Sequence, residues 1–262
     1  MSSVNNWFKR VLHPVSFDLE QIRFFSFRTM TYRQDSDIVH SYGRVVRRNF
    51  SSTIYDHQSI DIYLDVKTNQ STFDVAREFS ERKNRIAWFV SNCQAKNQRN
   101  RLGKKLGEFF PVDQYGRCSS MKSNETFEET LKKYKFYLAF ENSHCKDYIT
   151  EKSFYNALAL GLIPIVFGPT KEDTEKILPV NSFLHIEQFD DLKRVIEQLN
   201  SISEDSERFA FYHQWRIDHR LITWPSNYYV DDRFCDLCIK LHDDSQPSKF
   251  YTNFSSWLNQ CT

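Results

Sequence analysis

Between about residue 85 and residue 200 the chain alternates short, unbroken apolar runs with segments of helical periodicity. Ile86–Val90, Tyr134–Phe140 and Leu162–Gly168 are almost wholly apolar or aromatic, and the first two run straight into polar loops. A run with no polar side cannot lie on a sheet that shows one face to water. Such strands are buried on both faces, as in a parallel, doubly wound α/β sheet with helices on each side. Further strands are expected at Val112–Tyr115 and Phe183–Ile186. Helices are expected at 97–109, ended by Pro111, at 125–133, from an N-cap at Thr150 to Gly161, at 171–178 and at 190–200, with one amphipathic helix over 204–219. In such a sheet ligands bind beyond the carboxyl ends of the strands. Ser91-Asn92 and Glu141-Asn142-Ser143 are the polar clusters at those ends.

Composition removes several function classes. Lys+Arg number 35 against 34 Asp+Glu, so a nucleic-acid binder working through bulk positive charge is excluded. With only 6 glycines there is no G-x-G-x-x-G or Walker-type phosphate loop. The longest apolar stretch, Leu158–Phe167, is far shorter than the ~20 residues a spanning helix needs. Met1–Trp7 shows no signal-peptide pattern. The Cys235/Cys238 pair has no second C-x-x-C at zinc spacing. Sequons at Asn49, Asn69, Asn124 and Asn253 favour the secretory pathway, where disulfides form. Cys93 follows the first strand and Cys118 the next, so adjacent parallel strands bring them together and predict a Cys93–Cys118 bridge in an oxidising lumen. Cys145, Cys235, Cys238 and Cys261 are left without assigned pairing.

Two places can carry chemistry. Glu151 and Lys152 fall at a helix start, where free N–H groups and the helix dipole favour an anion and a lysine adds a charge suited to phosphate; Tyr148 can lie against a base or sugar. The same residues also fit an ordinary helix start with Thr150 as cap and Lys152 in water. Arg99 opens the helix after the first strand, where its fork could grip a diphosphate; the neighbouring Arg101, Lys104 and Lys105 equally fit a solvated basic face.

The ordered segments Tyr134–Ser143, Asp147–Lys152, Asn156-Ala157 and Gly161–Pro169 resemble the signature of the α1,3-fucosyltransferases. Tyr32-Arg33-Gln34-Asp35-Ser36-Asp37, Trp88–Asn92 with Arg99, Tyr115–Cys118, Trp215-Arg216 and Phe234–Cys238 extend the likeness over roughly residues 24–240. The resemblance implies a GT-B-like, two-lobed glycosyltransferase that takes L-fucose from GDP-fucose and passes it, with inversion, to a GlcNAc hydroxyl of a glycan acceptor in α1,3 linkage. It implies a Golgi membrane protein and no obligatory metal, side chains supplying the positive charge. By the same likeness Arg99 and Lys152 neutralise the diphosphate, Glu151 contacts fucose or ribose, Tyr148 packs on the donor, Asn142 holds donor or loop, and Ser91-Asn92 line the donor side. Tyr32, Arg33 and Asp35 belong to the acceptor side.

Three regions are expected on this basis: an acceptor-lobe remnant and connection at 1–83, the donor-binding lobe at 84–240 and a tail at 241–262. The family's catalytic base is a Glu in a Glu-Ser-Pro stretch shortly before the Tyr-Arg motif. Here the nearest counterpart is Leu12-His13-Pro14, so the catalytic base has no assignment. The sequence therefore reads as a fucosyltransferase donor lobe with little of the acceptor lobe and without the family's membrane anchor, the alternative being a non-catalytic GDP-sugar-binding relative.

Overall fold

Tyr134–Phe140 form a strand in which all seven residues are buried, and the architecture is organised around it. The structure is a computed structural model and describes residues 29–48, 73–223, 233–242, 251 and 253–261. Its elements are β1 (Met30–Thr31), β2 (Ile38–Val39), β3 (Gly43–Arg47), α1 (Val75–Glu81), β4 (Lys83–Phe89), α2 (Arg99–Gly107), β5 (Val112–Tyr115), α3 (Phe127–Leu131) and β6 (Tyr134–Phe140). A π-helix (Lys152–Ala159) follows, then β7 (Ile163–Phe167), α4 (Lys171–Ile177), β8 (Leu184–His185), α5 (Leu192–Glu204), α6 (Ser206–Phe211), α7 (Trp215–Asp218), β9 (His219–Thr223), α8 (Arg233–His242) and α9 (Phe254–Leu258). The strand at Tyr63–Val66 suggested by the sequence lies outside the described residues.

Five strands pair in parallel in the order β5-β4-β6-β7-β8. The chain winds from β4 outward to β5, then crosses back to β6 and proceeds the other way. The switch point, where flanking loops diverge and leave a crevice, is therefore between β4 and β6. Alternate residues of β6 point to two separate cores. Phe136, Leu138 and Phe140 join Ile86, Trp88, Leu106, Val195, Leu199, Ile202 and Phe209. Tyr137 and Ala139 join Ala87, Leu131, Phe154, Ala157, Leu158 and Trp215. Helices thus cover both faces, as the apolar strands require.

Two expectations are corrected. The segment after Thr150 winds as a π-helix, and its end is marked by the Leu162 N–H reaching the Ala157 carbonyl five residues back at 3.0 Å. Thr150 caps it only weakly, its hydroxyl accepting from the Lys152 N–H at 3.5 Å while being drawn to Glu141 at 2.9 Å. The single helix expected over 204–219 is broken into α6 and α7. Tyr212 is buried in the first core and Trp215, three residues on, in the second. Residues three apart share one side of a helix, so an unbroken helix could not serve cores on opposite faces of the sheet. Asp205 caps the new start, accepting from the Glu207 N–H at 2.8 Å.

The amino-terminal described segment is not a separate layer. β3 pairs antiparallel with β9, Gly43 opposite Thr223. A Cβ on Gly43 would lie 2.5 Å from the Phe154 ring, so only glycine lets this ladder sit against the π-helix.

β6 also buries a charge. Lys135 is 2% exposed; its Nζ donates to the Ser203 carbonyl at 3.1 Å and lies 3.6 Å from the Phe79 ring centre. Burial lowers its pKa to about 8. Below that pH the folded and unfolded chains both carry the proton and the burial cost is fully present. As pH rises from about 8 towards 10.5 the folded chain loses the proton first, so this residue's penalty fades and stability rises. Lys135→Met is expected to stabilise the fold at pH 7 by about 1–3 kcal/mol, with a gain that shrinks towards pH 10. Denaturant melts of both proteins at the two pH values test this; a gain independent of pH would refute the cause.

Candidate functional site

The crevice at the switch point is bounded by the loop leaving β4 (residues 90–98) and the loop leaving β6 (residues 141–151). Arg99, the first residue of α2, is 2% exposed. Its Nη1 donates to the Phe140 carbonyl at 2.7 Å and its Nη2 to the Asn92 carbonyl at 3.0 Å, while its Nε is buried without a partner. The side chain thus staples the ends of β4 and β6 together. Asn97 adds a second staple, its Nδ2 donating to the Glu141 carbonyl at 2.9 Å. Gln98 between them adopts φ 59°, the left-handed region non-glycine residues avoid and that recurs at functional sites. Burial lowers the Arg99 pKa, with Glu141 opposing, and a guanidinium keeps its charge regardless.

Glu141, the residue after β6, is 1% exposed. Its Oε1 accepts from the Thr150 N–H at 2.8 Å, both carboxylate oxygens lie 2.9 Å from the Thr150 hydroxyl, and Oε2 accepts from Lys152 Nζ at 2.8 Å. Lys152 Nζ also donates to Thr150 Oγ1 at 2.7 Å and lies 3.4 Å from Glu151 Oε1. Burial alone would lower the Lys152 pKa, but Glu141 and Glu151 outweigh it and the ammonium is held above its usual range. Burial pushes the Glu141 carboxyl up and Lys152 pulls it back. Gly168, after β7, makes room: at φ 137° a Cβ there would meet the Glu141 Cβ at 2.7 Å.

The rest of the β6 loop is tied to residues 32–35 and to the chain's end. Tyr148 meets Tyr32 edge-on at 5.2 Å between ring centres, and burial pushes its hydroxyl up to about 12. Asp147, at φ 59°, accepts from the Gln34 N–H at 3.0 Å. Arg33 is buried and forms a two-pronged pair with Asp35 at 2.8 and 2.7 Å. Its remaining arm reaches the Trp257 carbonyl, and its guanidinium lies 4.7 Å from that indole's centre. A Cys145–Cys261 disulfide joins the loop to the tail covalently.

Of the sequence-expected residues, Arg99 binds carbonyls of both loops, Tyr148 and Glu151 lie on the β6 loop, and Lys152 follows it, paired with Glu141. Asn142 is half-buried directly after Glu141. Ser91 and Asn92 expose their side chains, and their carbonyls accept from Arg117 at 2.9 Å and Arg99 at 3.0 Å. The Cys93–Cys118 bridge is present, as the pairing of β4 with β5 requires. Cys238 is an exposed free thiol, and the Cys235 side chain lies outside the described residues. Asn124 and Asn253 are exposed; Asn49 and Asn69 lie outside the described residues, as does Leu12-His13-Pro14. Among the described residues no cluster of His, Cys, Asp or Glu could hold a metal, and no helix is long and apolar enough to cross a membrane. Sequence reasoning passed over Asn97 and the role of Glu141. The signal for Glu141 was a carboxylate directly after the apolar run Phe136–Phe140, a place where a charge needs a cation.

Comparison with known proteins bears on this site. Residues 79–257 match glycosyltransferase family 10 (fucosyltransferase), C-terminal part. Glycoprotein 3-alpha-L-fucosyltransferase A of Drosophila melanogaster is 36% identical over 236 residues, 87% of this chain and 42% of that protein. Alpha-(1,3)-fucosyltransferase C of the same species is 35% identical, covering 89% of this chain and 54% of its own length. Human 3-galactosyl-N-acetylglucosaminide 4-alpha-L-fucosyltransferase FUT3 is 33% identical, covering 92% and 60%. The chain spans about half the length of the curated relatives it matches. A crystal structure of alpha1,3-fucosyltransferase with GDP-fucose aligns at TM-score 0.48 and 18% identity, over 66% of this chain and 51% of that one.

The tail's attachment is testable. Cys261→Ser opens a bridge between positions 116 residues apart, and a loop of that size is worth about 2–4 kcal/mol. Thermal melts are expected to drop for Cys261→Ser and to stay unchanged for Cys238→Ser. Equal melting temperatures for Cys261→Ser and the parent would remove the tail from the folded unit.

Proposed function

The chain belongs to glycosyltransferase family 10, and from that premise we propose that it transfers L-fucose from GDP-fucose to a GlcNAc hydroxyl of a glycoprotein or glycolipid glycan, in α1,3 linkage and with inversion. The observation that carries this reading is the pair of cations, buried Arg99 and half-buried Lys152, both bonded to the segment at the carboxyl end of β6, beside the switch point.

As the bond between fucose and GDP breaks, negative charge grows on the diphosphate. Fixed cations in a partly dry crevice stabilise that charge without having to reorganise. Lys152 is anchored by Glu141 and Thr150, and its looser contact with the half-exposed Glu151 is the one a phosphate oxygen would replace. Arg99 holds the two loops at a set separation and keeps an unpartnered Nε for the ligand. Tyr148 offers a ring face for the donor, Asn142 and Glu151 offer polar groups for ribose or fucose, and the loop at Ser91-Asn92 closes the side. Tyr32, Arg33 and Asp35 carry the acceptor side, braced against the β6 loop through Tyr148. The leaving group's charge is met by side chains, so no metal ion is required in this scheme. The proton acceptor for the attacking hydroxyl has no assignment, since Leu12-His13-Pro14 stands where the family has Glu-Ser-Pro. The bridges Cys93–Cys118 and Cys145–Cys261, with exposed sequons at Asn124 and Asn253, support work in an oxidising lumen, and the Golgi is the compartment this activity calls for.

Arg99→Ala and Lys152→Ala are each expected to weaken GDP binding by about 1.5–3 kcal/mol, the worth of a charge-assisted hydrogen bond. Calorimetry with GDP on folded variants reads this directly. Transfer of radiolabelled fucose to N-acetyllactosamine or a chitobiose-core glycopeptide reports the activity, and should fall in the same variants. Unchanged GDP affinity in both would overturn the reading.

A further inference from the structure

We propose that Glu141 is a positioning residue that sets how tightly the site holds a nucleoside diphosphate, by fixing Lys152 while sharing its charge. The inference rests on the proposed function, which places the diphosphate at Lys152, and goes beyond it in assigning a carboxylate that opposes binding.

A phosphate site is ordinarily built from donors and cations alone. Here a carboxylate stands behind the cation, 1% exposed, at 2.8 Å from Nζ. Its burial is arranged from several directions. The Glu141 N–H is committed to the Phe167 carbonyl at 2.8 Å, its own carbonyl to Asn97, and its side chain to Thr150 and Lys152. The absence of a side chain at Gly168 leaves space for it. Glu141 cannot swing away when a ligand arrives, because every polar atom it has is occupied by a neighbour held in the fold.

Lys152 has three protons to give. Two go to Glu141 Oε2 and Thr150 Oγ1 at 2.8 and 2.7 Å; the third faces Glu151 at 3.4 Å, through a carboxylate that is 46% exposed. A diphosphate can replace only the third contact. It then meets an ammonium whose charge is already largely balanced from behind. The consequence is a cation held in one place, which favours stabilising charge as it develops on a departing group, yet without the grip that would retain the spent diphosphate. Removing the charge of Glu141 while keeping its size leaves Lys152 a half-buried cation compensated only by the half-exposed Glu151, whose contact a diphosphate would then replace.

The test is GDP calorimetry on the full chain. Glu141→Gln retains an Oε1 acceptor for the Thr150 N–H but loses both the charge and the acceptor for Lys152 Nζ, freeing that ammonium for the ligand; it is expected to bind GDP about tenfold more tightly. Guanosine, which lacks phosphates, is expected to bind Glu141→Gln and the parent alike. Glu141→Asp keeps the charge and should show no tightening. In Glu141→Gln/Lys152→Met the gain should vanish. A purely structural Glu141 would give weaker GDP binding in both Glu141→Gln and Glu141→Asp, with lowered melting temperatures, and that result would overturn the inference. Should Lys152→Met weaken GDP binding while Glu141→Gln does not tighten it, this inference fails and the donor-site reading stands. Should Lys152→Met leave GDP affinity unchanged in either background, the placement of the diphosphate at Lys152 fails first, and the inference with it.

Discussion

A strand buried on both faces must still end, and its last backbone carbonyls must find donors there. β6 meets this demand with side chains rather than water. The Phe140 carbonyl takes Arg99, the Glu141 carbonyl takes Asn97, and the Glu141 N–H returns to the Phe167 carbonyl of β7. An unpaired buried carbonyl would be costly, so these donors stabilise the fold. They also happen to be the groups that define the crevice. The same contacts that let β6 be buried along its whole length therefore hold the β4 and β6 loops in register at the switch point.

The opposite end of the β6 layer is built on the same device. Arg82 gives its two terminal nitrogens to the Tyr134 and Leu160 carbonyls at 3.0 and 2.8 Å, with Glu78 pairing its Nε at 2.5 Å. Arg216 reaches the Leu158 carbonyl and lies against the Phe73 and Trp215 rings. These arginines supply donors to carbonyls at the end of the π-helix, where a cation also suits the helix dipole. Burial, then repulsion from Arg82, lowers Arg216 to about 9, and the adjacent His213 is driven neutral by burial and by the two arginines. One end of the layer thus concentrates buried cations with a single close carboxylate, Glu78, and stays structural. The other balances Lys152 against Glu141 and leaves an opening.

Much of this was legible beforehand because the constraints are local. Val112–Tyr115 and Tyr134–Phe140 were read with the bounds they have, the second because a strand apolar but for Lys135 has one plausible environment. The grouping of Arg99 with Lys152 came from the likeness to the α1,3-fucosyltransferases; by themselves the residues fit a solvated basic face and an ordinary helix start equally well. What was not legible depends on distance in sequence. Nothing near Thr150 says that its hydroxyl serves Glu141, nine residues earlier, more closely than it serves the helix start. The break after Phe211 follows only once Tyr212 and Trp215 are known to face different cores. The pairing of Cys145 with Cys261 spans 116 residues and had no periodicity to betray it.

The tail and the Tyr32–Asp35 motif show why the β6 loop can be irregular yet defined. Asp147 is held in a left-handed conformation that costs a non-glycine residue about 1–3 kcal/mol, and something must outweigh it. Three ties converge on that loop: Gln34 N–H to Asp147, Tyr32 against Tyr148, and the Cys145–Cys261 bridge. The bridge in turn anchors a tail gripped by Arg33 and Asp35 through Trp257, with Asp35 accepting from the indole N–H at 3.2 Å. The loop, the motif and the tail therefore form a closed mechanical circuit. Loosening any one member frees the other two, and Tyr148 loses its bearing on the crevice. The Tyr32–Asp35 motif thereby fixes the β6 loop through direct contacts with it.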